Sequence, residues 1–404
     1  MEYDVIIVGA RVAGASLALL LGRAGRRVLL VDRERFPSDT ISTHLLTPAA
    51  VTALEELGVL NDVEALGLRR ITRLRTQIDD CAFEGPCLAP APAYALAPRR
   101  DALDAILIRH AAALSSVEVR QGTLVEGLLW DGRLVTGVQL ASESARGRVV
   151  VGADGKDSRV ARWVGAAAYH ELPLRRPVYY GYYRGLAPFP EATMELHFHD
   201  DMIAFVFPMQ PGRDCIALEL QAADFASFRR DATREFEHRL RLFQGLGPRL
   251  AGATLEGRLK GTRGVESFFR KAFGPGWALT GDAGCSKDPS TGLGIGDAFL
   301  QSKLLAQALN DLFEGARWHP TMSRFQSERD DALLPWYLAT AAFAGADPTP
   351  SEVMPMLRTV VGNPGLVRLL AKAMPRFSEL LPERYQPLLE LVAQTFAAEP
   401  VATA

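Results

Sequence analysis

A chain of 404 residues in which 48% are apolar can bury a large core, enough for two or three lobes. Its formal net charge of −2 offers no basic surface to a nucleic-acid partner. The longest apolar stretch, 12–21, is too short to span a bilayer, and Cys81, Cys87, Cys215 and Cys285 make no disulfide scaffold in a chain of this length. The acidic start, Met1-Glu2-Tyr3-Asp4, runs directly into a strand without a secretory pattern, so a cytoplasmic protein is expected.

In chain order, 3–8 reads as a buried strand, 13–24 as a helix with small residues on one side, and 28–31 as a second strand closing on Asp32. A polar loop, 37–44, precedes a helix opened by Thr47-Pro48 and closed by Gly58. Strands and proline-rich loops follow over 71–96, then a helix over 101–114. Short antiparallel strands are expected at 117–119, 124–130 and 135–140, and another strand at 148–155. Aromatic-rich strands at 178–183, 194–198, 202–207 and 215–220, with a helix at 233–246, read as a sheet inserted between dinucleotide-domain segments. A glycine-rich turn leads into a helix over 297–313. The tail is mostly helical, punctuated by Pro348, Pro350, Pro355, Pro364, Pro375, Pro382 and Pro387.

Two motifs carry chemistry. Val8-Gly9-Ala10-Arg11-Val12-Ala13-Gly14 is a strand-turn-helix with a glycine at each end, the pattern that seats a dinucleotide pyrophosphate on a helix N-terminus. Arg11 replaces the usual middle glycine, so its side chain must turn away or lie beside the phosphates. Asp32, about 20 residues past the turn, suits ribose hydroxyls. Far along the chain, an apolar strand ends at Gly281-Asp282, and Pro289, Gly292, Gly294, Ile295 and Gly296 open a helix. Its free N–H groups suit a second electron-rich group. Two distant sites imply one long cofactor with two ends, which FAD fits better than NAD.

At these residues the chain resembles the FAD-dependent monooxygenases built like para-hydroxybenzoate hydroxylase, and more distantly the geranylgeranyl reductases and flavin-dependent halogenases. Three signatures spanning most of 1–310 carry the resemblance: the 9–14 turn with Asp32; Asp154-Gly155-x-x-Ser158; and Gly281-Asp282 through Pro289 to Gly294. It implies cofactor-binding roles for Gly9, Arg11, Val12, Ala13, Gly14, Asp32, Arg33, Thr43, His44, Arg100, Val125, Asp154, Asp282, Pro289, Gly292, Gly294 and Ile295. Departures stand at Ala161, Ser290 and Gly296, where the family often has arginine, proline and asparagine. Cys285 replaces an aromatic or histidine, and Thr43-His44 an arginine.

The fold so implied is α/β: a Rossmann-like FAD-binding domain of glutathione-reductase type (1–75, 96–165 and 266–325), an inserted β-sheet substrate domain (76–95 and 166–265) and a C-terminal helical region (326–404). The activity implied is hydroxylation of an aromatic or polyketide-like small molecule by O2 and NAD(P)H through a flavin C4a-hydroperoxide, in a monomer or homodimer. FAD-dependent C=C reduction or dehydrogenation of an apolar substrate is the alternative, ahead of halogenation, since no Trp-x-Trp-x-Ile-Pro segment is present, and of a non-catalytic binder. The aromatic strands offer Tyr180, Tyr182, His197, Phe205, Phe207 and Met209 either as a substrate pocket or as sheet core. His44 is the one candidate base, with a structural hydrogen bond as the competing role. His197 and His199 lack a matching carboxylate or cysteine, so no metal site is expected.

Overall fold

The computed structural model describes residues 2–86, 93–173 and 176–344. Among these, the strands form three sheets. The first is built around Tyr3–Val8, a largely apolar run buried on both faces, with helices over one and the 125–140 hairpin over the other. Helix Val12–Arg23 crosses over to Val28–Asp32, and helix Arg100–Ala112 crosses over to Val117–Gln121. Ser144–Gly152 and then Trp277–Leu279 pair in parallel on the opposite side of Tyr3–Val8. The chain thus leaves its first strand in both directions, and the crevice where strand order reverses is where such sheets bind ligands.

The strand at the far edge departs from expectation. Val117–Gln121 is not part of an antiparallel set: it pairs in parallel with Val28–Asp32, because helix Arg100–Ala112 returns the chain across the sheet. Val125–Asp131 and Leu134–Leu140 do form an antiparallel hairpin, which joins Ser144–Gly152.

The second sheet has seven strands, running from Thr254–Thr262 through Val178–Arg184, Arg213–Glu219, Met202–Pro208 and Thr193–His199 to Arg73–Ile78 and Cys81–Pro86. Its two edge segments come from either side of the aromatic block, and Arg73–Ile78 enters three residues before the expected boundary. One face packs with Leu45, Ile71, Ala95 and Ala97, toward the first sheet's loops. The other is covered by Phe228, Phe236, Leu240 and Phe243. The covering helix is Ala232–Leu240, shorter than its sequence pattern: it ends at an Arg241 cap, and the chain turns into a 3-10 segment at Gly247–Gly252.

A third sheet, Ala168–Leu172 with Ser267–Arg270 and Cys285–Ser286, was not legible in the sequence. Helix Trp318–Ala344 is pinned to it by Arg329, which has no solvent exposure. The guanidinium donates to Tyr169 Oη at 2.7 Å and Arg270 O at 3.0 Å, and pairs with Asp330. The prolines expected to punctuate the tail, from Pro348 on, lie outside the described residues.

Arg329→Met leaves buried oxygens unpaired, although Asp330 stays partly hydrated. The expected loss is about 2–3 kcal/mol in chemical denaturation of the purified protein.

Candidate active site

The first and third signatures meet because their strands belong to one parallel sheet, separated only by Ser144–Gly152. Both turns open at its carboxyl edge into a single cleft of about 640 Å³. Gly9, Arg11, Val12, Ala13, Asp32, Arg33, Thr43, Arg100, Val125, Asp154, Asp282, Pro289, Gly294 and Ile295 all line it. Of the residues expected to bind the cofactor, Gly14, His44 and Gly292 do not.

Local chemistry explains the first turn. Gly9 has φ +106°, and a Cβ there would lie 2.4 Å from Ala153 O, so a side chain is excluded by the adjoining strand's exit. Gly14 serves packing instead: a Cβ would sit 1.8 Å from Gly9 O. Helix Val12–Arg23 has no capping side chain and no acidic residue in its first turn. Its orphan N–H groups and positive dipole end therefore remain available to an anion.

Arg11 neither turns away nor stands alone. Its guanidinium donates to Asp104 Oδ2 at 2.7 Å and to Ser38 O at 3.1 Å. Asp104 is fully buried and also accepts from Arg100, at 3.1 and 3.2 Å. Two guanidiniums on one carboxylate leave a net positive charge beside the turn. Sequence reading missed Asp104, although its i,i+4 spacing from Arg100 on a helix was a usable signal.

Asp32 accepts from Ala10 N at 2.7 Å and Glu34 N at 2.8 Å, one bond to each carboxylate oxygen. That leaves lone pairs on its cleft side. Asp154 is spent differently. It accepts from Ser158 Oγ at 2.5 Å and from the N–H of Arg159 and Val160, and so builds its own turn.

At the other end, Asp282 keeps an exposed face while enclosure by protein raises its carboxyl to about 6. Both hold because its exposed face opens into the cleft. Arg100 opposes the rise and Asp297 adds to it. Gly292, at φ +69°, ends the short turn at Pro289–Thr291, and helix Gly294–Phe313 starts two residues later. Lys287 and Asp297, both on the cleft wall, pair at 2.6 Å. Cys285 is also on this wall, and burial pushes its thiol up to about 12, so it is no thiolate.

His44 takes the structural role that competed with the base. It is wholly buried, 2.8 Å from Tyr182 Oη and edge-on to Tyr180 and Tyr182. Burial, with the Arg100 charge next, lowers its pKa to about 3, so it stays neutral and serves the core rather than the cleft as a base. His197 takes the sheet-core alternative. It lies on the outer face of the seven-stranded sheet beside Phe243, bound to Glu195 at 2.9 Å, because residues 195, 197 and 199 alternate away from the inner face. Tyr180, Tyr182, Phe205, Phe207 and Met209 do share the inner face, and of these Tyr180 lines the cleft.

A parallel sheet with glycine-turn helices at its carboxyl edge and one long cleft is the frame of a dinucleotide-binding protein. Residues 2–174 match the family model described as "FAD binding domain". Three similar proteins use that frame differently. A 1H-pyrrole-2-carbonyl-[peptidyl-carrier protein] brominase of Pseudoalteromonas luteoviolacea is 24% identical over 78% of this chain and 79% of its own. A menaquinone reductase of Mycolicibacterium smegmatis is 27% identical over 76% of both. The solved structure of pqsL, a probable FAD-dependent monooxygenase from Pseudomonas aeruginosa, is 25% identical with a TM-score of 0.74, covering 85% of this chain and 95% of that one. The chain is an FAD-dependent oxidoreductase similar to FAD-dependent monooxygenases. Among the described residues, no helix is long and apolar enough to cross a membrane.

The raised Asp282 carboxyl carries a signed consequence. An unfolded aspartate ionises near 4, so between about pH 4 and 6 the folded state binds more protons, and stability falls as pH rises through that window. In flavin-free protein, Asp282→Asn is expected to raise the melting temperature at pH 8 and to leave it unchanged at pH 4. Melting curves at both values check this.

Proposed function

We propose that this protein is an NAD(P)H-dependent monooxygenase that hydroxylates an aromatic or polyketide-like small molecule. The observation that carries this reading is the continuity of one cleft from the Gly9 turn to the Gly294 helix. Its lining suits FAD from one end to the other. Asp32, Arg33 and Val125 hold the adenosine end, where a carboxylate with spare lone pairs meets ribose hydroxyls. The turn from Gly9 to Ala13 holds the diphosphate, with net positive charge from Arg11 and Arg100 around Asp104. Asp282, which has no hydrogen-bond donor among the described residues, would accept from the ribityl hydroxyls. Thr43, Pro289 and the Gly294–Ile295 helix start border the ring system.

Bound FAD supplies two-electron chemistry, taking hydride from NAD(P)H and passing electrons to O2. The chain's part is to orient and to dry the site. Tyr180, Val178 and Ala217 bring the inner face of the seven-stranded sheet to the same cleft, so an apolar substrate lying there is shielded from water. A neutral His44 and a protonated Cys285 leave no base or thiolate nucleophile among these two candidates, which suits a reaction whose reactivity resides in the cofactor.

Protein purified with FAD is expected to oxidise NADPH faster when a phenol is added, with one oxygen atom of labelled O2 recovered in the product. Oxygen-independent reduction of an alkene or quinone would replace hydroxylation with the reductase reading, and halide-dependent product would replace it with halogenation. Asp282→Ala is expected to weaken FAD binding about tenfold or more, the scale of a lost hydrogen bond to a charged group. Equilibrium titration of the apoprotein with FAD measures it, and wild-type affinity in that variant would remove Asp282 from the site.

A further inference from the structure

Arg11 stands where a dinucleotide-binding turn usually has glycine. Its backbone is extended there, at φ −76° and ψ −166°, so the position accepts a side chain without strain. What that side chain does is set by its hydrogen bonds. Nη1 donates to Asp104 Oδ2 at 2.7 Å and to Ser38 O at 3.1 Å. Nη2 donates to Ser38 Oγ and to Asp39 O, each at 3.2 Å. A guanidinium carries two N–H groups on each terminal nitrogen, so both nitrogens are fully engaged and Nε–H is what remains for a phosphate. The group also lies over the Phe36 ring, 5.3 Å from its centroid.

The segment gripped in this way is itself a wall of the cleft. Residues 38–43 all line it, and none of them belongs to a helix or strand, so no backbone ladder fixes their course. Side chains from two sheets do so instead. Arg11 ties Ser38 and Asp39 to the turn leaving the parallel sheet. From the seven-stranded sheet, Lys260 pairs with the Asp39 carboxylate and Tyr180 Oη donates to Thr40 O at 3.1 Å. Beyond these anchors Ile41 presents an apolar side chain that is 46% exposed, ahead of Thr43.

We propose that Arg11 is a positioning residue that rivets the 38–43 segment to the diphosphate turn, so that the cleft wall around Ile41 and Thr43 is set for the flavin ring before the cofactor arrives. This rests on the flavoenzyme reading above and adds how the two ends of that site are held in register. A lysine at this position supplies the same charge beside Asp104. A single ammonium, however, has no planar fork to span Asp104, Ser38 and Asp39 together. The charge of Arg11 and the geometry of its fork are therefore separable by substitution.

The test compares Arg11→Lys and Arg11→Met with wild type. In the apoprotein, amide hydrogen exchange over 36–44 should speed up about tenfold in both variants, the scale of one or two lost hydrogen bonds, with helix Val12–Arg23 unchanged. Equilibrium titration should show FAD affinity about tenfold weaker in Arg11→Lys and at least as weak in Arg11→Met. At saturating FAD, the visible circular dichroism of the flavin, which reports the surroundings of its ring, should differ from wild type in the lysine variant. Wild-type FAD affinity in Arg11→Lys, an unchanged ring signal, unchanged exchange over 36–44, or equal acceleration throughout helix Val12–Arg23 each overturns the proposal. Wild-type protein unable to bind FAD would instead sink the parent reading, and the exchange comparison would still decide whether Arg11 fixes the segment.

Discussion

Parallel pairing of Ser144–Gly152 against Tyr3–Val8 is the constraint on which the molecule turns. It brings Ala153 so close to Gly9 that only glycine fits there, and it leaves its other edge for Trp277–Leu279. Three turns distant in sequence, at Gly9, Asp154 and Asp282, consequently leave one sheet edge side by side. The apolar strands supply the driving force, since they are buried on both faces, by helices on one and by the Val125–Asp131 and Leu134–Leu140 hairpin with the short helix Arg159–Trp163 on the other.

Charge is managed around that edge by sharing. Asp104 binds two arginines, Asp32 takes two backbone donors, and Asp154 is consumed by its own helix start. Asp282 is the exception: enclosed, aimed into the cleft and raised in pKa. Among carboxylates on this wall it is the one whose environment calls most clearly for external donors. A helix N-terminus without a side-chain cap on each side of the cleft adds fixed dipoles that need no reorganisation when a ligand arrives.

The seven-stranded sheet makes a second division of labour. Its outer face holds Glu195, His197 and Arg249 in a buried network under Phe243, which orders the strand without reaching the cleft. Its inner face is aromatic and apolar. The pleat alone separates these roles: residues two apart share chemistry, and neighbours in sequence do not. A brominase, a reductase and a probable monooxygenase share this frame, so differences on the inner face and at the cleft wall are where their chemistries have room to diverge.

Much of this was legible in the chain. Short-range signals determined the first strand, the Gly9–Gly14 turn, Asp32, Thr47 as helix cap and the Asp282–Gly294 segment, because turns and caps depend on residues within a few positions of one another. Tertiary structure decided what periodicity does not encode. It made Val117–Gln121 parallel, assembled the third sheet around Arg329, and joined Asp104 to Arg11 across 93 positions. It also set which face of each aromatic strand points inward, sending His44 to the core and His197 to the outer layer. The physical reason is that burial and electrostatic partnership are properties of surfaces brought together by the whole fold, whereas a local motif specifies only the shape of its own turn.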